Sequence, residues 1–180
     1  MLTSSHGYWG LRLTRGRDRG PWLVLGAVGP DLPAFGAGLT FRASGVASGE
    51  LIDRVYHRGT SRRLQLAAHS ALACAGLGLT AASDARRRAV AAGWLSHLVI
   101  DALTHHDDAW PFLWPLTDRR WRSPVSYWQA EHHSRGWTLA ECVALTVATA
   151  SDPRRVGRTA GAIALCCAAT PLLKVCSPSA

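Results

Sequence analysis

One stretch of the chain carries three side chains of metal-ligand type, spaced four apart: His97-Leu-Val-Ile-Asp101-Ala-Leu-Thr-His105. At 3.6 residues per turn, positions i, i+4 and i+8 lie near one face of a helix, each step advancing about 6 Å along the axis. His97 and Asp101 are then close enough for an imidazole nitrogen and a carboxylate oxygen to reach one cation. His105, about 12 Å from His97 on the same arithmetic, suits a second cation or a substrate. In a chain with eight His and nine Asp, about 0.4 His-x3-Asp pairs arise by chance. Adding a second His four residues on lowers that to about 0.02, so the triplet is the specific feature. Its neighbours are apolar, and a carboxylate in an apolar surround needs a partner. A cation supplies one. A His–Asp hydrogen bond that locks a core is the other reading.

Two further residues fit such a centre. His69 sits in a second apolar stretch, Ala67-Ala68-His69-Ser70-Ala71-Leu72-Ala73. Alone it reads as a satisfied core histidine, but with His97 and Asp101 in need of partners it becomes a candidate ligand. Asp31 follows Gly29-Pro30 at the end of the apolar run 21–28. It is either a helix-capping turn residue or a carboxylate delivered at the end of an apolar helix, able to bridge cations.

The elements that must position these groups are helical. Apolar segments at 21–28, 64–83, 88–105, 138–149 and 158–173 show helical spacing or uncharged length, and no stretch alternates as a strand would. Gly29-Pro30 predicts a stop after the first, and 84–88 a charged turn. These features predict an all-α fold, a single-domain helical bundle over 1–180. Residues 107–136 form a long Trp- and Pro-rich connection carrying Trp110, Trp114, Trp121 and Trp128. A loop of that length in a small domain is usually functional, as a wall or lid. Segment 64–83 is long enough to span a bilayer but carries Gln65 and His69, so a transmembrane and a buried-core helix both stay open. Asp101 in mid-helix argues against simple spanning by 88–105.

Composition bounds the class. The chain has 180 residues, 48% of them apolar, and a net charge of +8. That is enough for one core, and too apolar for a disordered chain. Nineteen of the 20 basic residues are Arg, in short clusters that alternate with apolar segments. Such alternation suits anionic headgroups better than nucleic acid, which asks for one basic face interleaved with stacking aromatics. The five Cys are scattered without a Cys-x2-Cys pair and read as small buried hydrophobes in a reducing compartment. No apolar run opens the first twenty residues, so no secretory signal is read. The expected location is the cytoplasmic membrane or the cytoplasm facing it.

Several of these pieces occur together in an order that resembles a known group. His6, GAVGPDLPAF (26–35), His57-Arg58-Gly59, His69-Ser70, GWLSHLVIDALTHH (93–106) and Trp-Pro-Leu at 114–116 resemble bacterial membrane-associated metal-dependent hydrolases similar to the zinc-dependent phospholipase C family. The resemblance runs from residue 1 to about 133. The later His-x3-Glu pair of the phospholipase pattern has no match, since His132 and His133 are followed at four residues by Gly136 and Trp137. The resemblance implies an all-helical fold whose inward-facing His and Asp hold two or three zinc ions. Asp31, His69, His97 and Asp101 would form the main cluster, with His6 the N-terminal ligand and His57 or His105 at a second site. It further implies hydrolysis of an anionic phosphoester or phospholipid. Asp31 or Asp101 would then act as the catalytic carboxylate, Arg58 would bind the phosphate, and the Trp-rich segment would wall a lipid tail or nucleobase. Two other readings compete. One is a helical membrane protein that keeps the scaffold without catalysis. The other is a basic nucleic-acid-binding module, which leaves His97 and Asp101 unexplained.

Overall fold

The computed structural model describes residues 3–13 and 19–150. The helices are α1 (Thr3–Leu13), α2 (Gly20–Val28), α3 (Leu32–Ala43), α4 (Ser48–Ile52), α5 (Gly59–Ala68), α6 (Ala71–Thr80), α7 (Ala85–Thr104) and α8 (Ser134–Ala150). Among the described residues there is no strand, and the fold is all-α as expected. Segment 158–173, expected as a further helix, lies outside the described residues.

The centre of the fold is the crossing of α2 and α7, which touch backbone to backbone at two glycines. A Cβ on Gly93 would stand 2.0 Å from the Leu23 carbonyl oxygen, and one on Gly26 would stand 2.0 Å from that of Val90. No other residue type fits there without prising the helices apart. This contact sets the height of α7 against α2, and so of everything one turn beyond Gly93.

Two sequence expectations are refined at helix boundaries. The Gly29-Pro30 stop ends α2 at Val28 as expected, but the chain goes on in helical turns, through one 3-10 turn at Gly29–Asp31 into α3. Pro33 falls in the first turn of α3, where a missing N–H leaves nothing unbonded. Gly20–Ala43 therefore runs as one apolar helix of 24 residues, long and apolar enough by length and composition to cross a membrane. Segment 64–83, by contrast, is not continuous. α5 ends at Ala68, and the Ser70 hydroxyl oxygen accepts the N–H groups of Leu72 and Ala73 to start α6. A serine side chain offering bonds that the helix would otherwise make itself is the physical reason for the break.

α7 is capped at both ends. Asp84 accepts the N–H groups of Arg86 (2.8 Å) and Arg87 (3.2 Å). At the other end the long connection supplies donors to the last carbonyls. Ser123 Oγ donates to Leu103 O (2.7 Å), Tyr127 N–H to Thr104 O (2.8 Å) and Ser123 N–H to His105 O (2.9 Å). Those carbonyls have no partner inside the helix, so the connection is built into the fold rather than hung from it.

Among the described residues the interior carries polar side chains beside an apolar set that includes Leu23, Val55, Leu66 and Leu98. The largest fully buried side chains are His6, His97, Gln65, Thr104, Ser70 and Ser126. Leu39, Leu79 and Leu116, in contrast, are 73%, 83% and 78% exposed. Fully buried residues are normally apolar, and a polar set at the centre must satisfy itself or bind something.

Candidate metal centre

The functional side chains arrive from four separate elements. His6 comes from α1, Asp31 from the 3-10 turn, His69 from the end of α5, and His97, Asp101 and His105 from α7. The α2–α7 crossing brings the Ala27 carbonyl to His97, whose Nδ1–H donates to it at 2.7 Å. His69 closes α5 and its Nδ1–H donates to Gln65 O at 2.9 Å. The Trp94 indole N–H holds the preceding residue, donating to Ala68 O at 2.6 Å. Trp110 stacks on the His69 ring with centroids 4.6 Å apart.

These backbone bonds fix the chemistry of both rings. A carbonyl oxygen only accepts, so Nδ1 carries the hydrogen and Nε2 of the neutral ring presents a lone pair. The two Nε2 atoms stand 3.4 Å apart. Asp101 Oδ2 lies 3.1 Å from that of His97 and 3.7 Å from that of His69. Asp31 Oδ1 lies 3.8 Å and 3.6 Å from the same two nitrogens. Both carboxylates thus face the pair of Nε2 lone pairs, with no hydrogen of the neutral rings between them. Added protons or a cation must supply the missing charge. For bonds of about 2.0–2.2 Å to a tetrahedral cation, ligand atoms stand about 3.4 Å apart, and the observed spacings bracket that value. The ligand atoms of His69, His97 and Asp101 all lie within 4.8 Å of one another, as do those of His6, Asp31 and His97. The donor set therefore fits a metal ion.

Asp101 has a second face. Its Oδ1 stands 3.2 Å from His6 Nε2 and 3.2 Å from His105 Nε2. His105 Nδ1 meets Asp108 Oδ2 at 2.5 Å, the arrangement in which a carboxylate orients a ligating imidazole. The His6 ring stacks on His97 with centroids 4.0 Å apart, and its Nδ1 is buried with no hydrogen-bond partner among the described residues. One carboxylate is thus surrounded by four imidazoles.

Burial and charge oppose each other throughout the cluster. Burial pushes His6 down to about 4, against its bond to Asp101. Burial also opposes the charge on His105, but Asp101 and Asp108 outweigh it and hold the ring up at about 9. His97 is raised in the same way by Asp101 and Asp31, despite its burial. Asp31 would be raised by burial, yet its bond to His69 and the nearby imidazoles bring it down to about 2. Asp101, also buried, is held well below the usual carboxylate range by His105, His6 and His97. The carboxylates therefore stay ionised at neutral pH, as cation ligands must. The Asp31 side chain is 24% exposed while those of His69, His97 and Asp101 are at most 5%, which makes Asp31 the open side of the centre.

Six of the expected residues, His6, Asp31, His69, His97, Asp101 and His105, are brought together. His57 and Arg58 are not. They precede α5, whose ten residues put about 15 Å of helix between them and His69. Arg58 is exposed and paired with Asp53. It lines a cavity of about 420 Å³ with Phe41, Arg54 and Thr60. Trp110 packs on a cluster histidine, whereas Trp121 and Trp128 are exposed. The supporting residue Asp108 is not among the residues expected from sequence, although it stands three residues from the histidine it orients, and Gln65 acts on His69 only through its backbone carbonyl. The Ala27 carbonyl left no signal at all, because any residue could supply it.

No protein-family model, curated protein or solved structure matches the chain.

Proposed function

We propose that this protein is a metal-dependent hydrolase of phosphoesters, with zinc at the His/Asp centre and its apolar faces resting on a membrane. The observation that carries the reading is the convergence of two Nδ1-committed histidines on two ionised carboxylates, buried except on the Asp31 side. Imidazole with carboxylate is a donor set that zinc favours. His69, His97, Asp31 and Asp101 would hold one ion, and His6 and His105 on the other face of Asp101 would serve a second. The resemblance of 26–35 and 93–106 to zinc-dependent phospholipase C and its membrane-associated relatives supports the same assignment. A cation held here supplies Lewis acidity, polarising a phosphoryl oxygen and lowering the pKa of water toward neutrality.

The chain's own residues do the rest. Asp31 stands at the exposed edge, where a substrate enters, and its carboxylate can accept a proton bond from an incoming water and orient it. Asp101, fully enclosed, holds the histidines in register and keeps the centre's negative charge. Trp110 and Tyr56, with ring centroids 6.5 Å apart, form an aromatic wall beside His69. Leu25, Leu32, Phe35 and Leu39 lie exposed along the helix that carries Asp31, so an apolar surface docked there sets the Asp31 opening close to lipid headgroups. A phospholipid phosphoester is the substrate class that this placement favours.

Metal analysis of the purified protein beside His97→Ala and Asp101→Ala tests the centre. Phosphate-ester cleavage is assayed on phosphatidylcholine vesicles and on a soluble aryl phosphodiester. We expect bound zinc and hydrolysis in the wild type and loss of both in each variant. Equal metal content in all three proteins would sink the proposal. Metal without hydrolysis would instead favour a non-catalytic scaffold.

A further inference from the structure

Between Leu113 and Arg122 the long connection turns apolar side chains outward. The segment reads Leu-Trp-Pro-Leu-Thr-Asp-Arg-Arg-Trp-Arg. Leu113, Leu116 and Trp121 are 51%, 78% and 65% exposed, and Arg119, Arg120 and Arg122 are exposed beside them. The segment is held firmly at both ends. At its start the Ala71 N–H donates to Phe112 O (2.7 Å) and the Ser70 hydroxyl to Trp114 O (2.6 Å), next to His69. The Trp114 and Leu116 N–H groups then close two successive turns on Pro111 O (3.0 Å) and Leu113 O (2.9 Å). At its end stands Ser123, which donates to the carbonyls of Leu103 and His105. An apolar tip on such a mount cannot fold its leucines away. Its charge is one-sided, three arginines against Asp118. Arg122 meets Asp107 at 3.8 Å with both side chains well exposed, a contact of little strength. Arg119 has no ion pair among the described residues.

We propose that residues 113–122 enter the surface of an anionic lipid bilayer. Leu113 and Leu116 reach the acyl boundary, Trp121 lies at headgroup depth, and the arginines meet lipid phosphates. The assignment rests on the reading that the protein works against a membrane, and adds which segment touches it. Charge and side-chain type select this occupant. Tryptophan is the ring that settles at the bilayer interface, and arginines beside it gain from anionic headgroups. A protein partner would ask for few charges at the centre of the contact, whereas three arginines stand within six residues of Leu116. A nucleic-acid strand would ask for stacking rings along a basic groove, whereas the tip carries leucines. Because the two mounts adjoin His69 and His105, a seated segment holds that end of the cluster near the headgroups.

Tryptophan quenching on vesicles tests the contact in the full-length protein. Wild type and Trp121→Phe are bound to phosphatidylcholine–phosphatidylglycerol vesicles whose acyl chains carry bromine near the headgroup or near the chain end. The difference between the two proteins isolates Trp121 from the other tryptophans. Shallow bromine is expected to quench that difference about twofold more than deep bromine. Arg119→Gln with Arg120→Gln is expected to weaken binding to these vesicles about tenfold or more, each charge counting for about fivefold. Binding to phosphatidylcholine alone should not change. The variants should keep the metal content of the wild type, since none of these side chains belongs to the centre. A Trp121 signal untouched by bromine, with the wild type bound to the vesicles, overturns the proposal and spares the membrane reading. No vesicle binding by the wild type overturns both. Self-association that Leu116→Ser abolishes, with vesicle binding unchanged, would assign the tip to a second copy and overturn the proposal as well.

Discussion

Asp101 concentrates the chemistry of this molecule into one carboxylate. Each of its oxygens faces two imidazoles, His97 and His69 on Oδ2, and His6 and His105 on Oδ1. Asp101→Asn preserves its volume but removes the charge that the four rings share. Metal analysis should find the bound ion lost, with far-ultraviolet circular dichroism still helical. Asp108 acts one step further out, through His105, so its removal should weaken rather than abolish binding. A supporting carboxylate of this kind is worth about 10–100-fold in metal affinity, and Asp108→Asn should shift a zinc titration by that factor. Retention of wild-type affinity would show that His105 needs no such support. Outside the centre, Glu141 makes a separate statement about pH. Burial raises its pKa above the ordinary glutamate value of 4.5, against the bond from Ser5. Folding thus favours its neutral form. The contribution of Glu141 to stability is intact below pH 4.5 and is lost as pH rises through the raised folded value. Glu141→Gln, neutral at every pH, should therefore raise the thermal midpoint at pH 7–8 and leave it unchanged near pH 4. A gain that persists in acid would refute this account.

At the scale of elements, the centre depends on how closely α2 and α7 cross. Gly93→Ala puts a methyl group where the Leu23 carbonyl stands, and the helices must separate. Overpacking of this kind costs about 1–3 kcal/mol. It also draws the Ala27 carbonyl away from His97 Nδ1, one turn further along α7, so metal affinity and thermal stability should fall together. Gly76→Ala in α6 meets nothing within 4 Å and should be neutral or slightly stabilising, because alanine is the better helix former. The Gly93 and His97 helix was legible from sequence because a four-residue repeat of ligand-type residues in an apolar helix has few other uses. Its bounds, α7 at Ala85–Thr104 against 88–105 expected, differ by a cap, since Asp84 starts the helix earlier than the apolar pattern does. One boundary was misread and another read only in part, for the same reason: local signals compete, and tertiary contacts decide. Gly29-Pro30 ends α2 as expected, yet a 3-10 turn carries the chain through it and aims Asp31 inward. The uncharged run 64–83 looked continuous, yet Ser70 breaks it and leaves His69 at a helix end, free to reach α7. α1 carried only the resemblance at His6 as a sign of its role. His57-Arg58 had the right residue types but the wrong distance, which only the direction of α5 reveals.

Among the described residues a buried polar cluster lies beside the α2–α7 crossing, and a number of large aliphatic side chains face outward. α7 shows this on a single helix. His97, Asp101 and Thr104 are buried on one side, while Leu95, Val99 and Leu103 are 54%, 50% and 58% exposed on the other. Arg86, Arg87 and Arg88 stand at its start, and Leu25 is exposed on α2, the helix that packs on α7. A row of three aliphatic side chains beside a basic cluster is what an anionic bilayer surface binds, the arginines meeting headgroups and the aliphatic row entering the acyl boundary. Each aliphatic side chain removed from water contributes about 1.5–3 kcal/mol when burial is complete, so the row outweighs any one arginine. The two contributions can be separated by salt. The wild-type protein should float with vesicles containing anionic lipid, and raising salt should weaken this only partly, since screening reaches the arginines and not the apolar row. Replacing Leu95, Val99 and Leu103 together by serine should release the protein to the soluble fraction without changing the metal content measured for the wild type, because none of the three is among the residues of the centre. Vesicle flotation unchanged by the triple substitution would mean that this face of α7 meets something other than lipid.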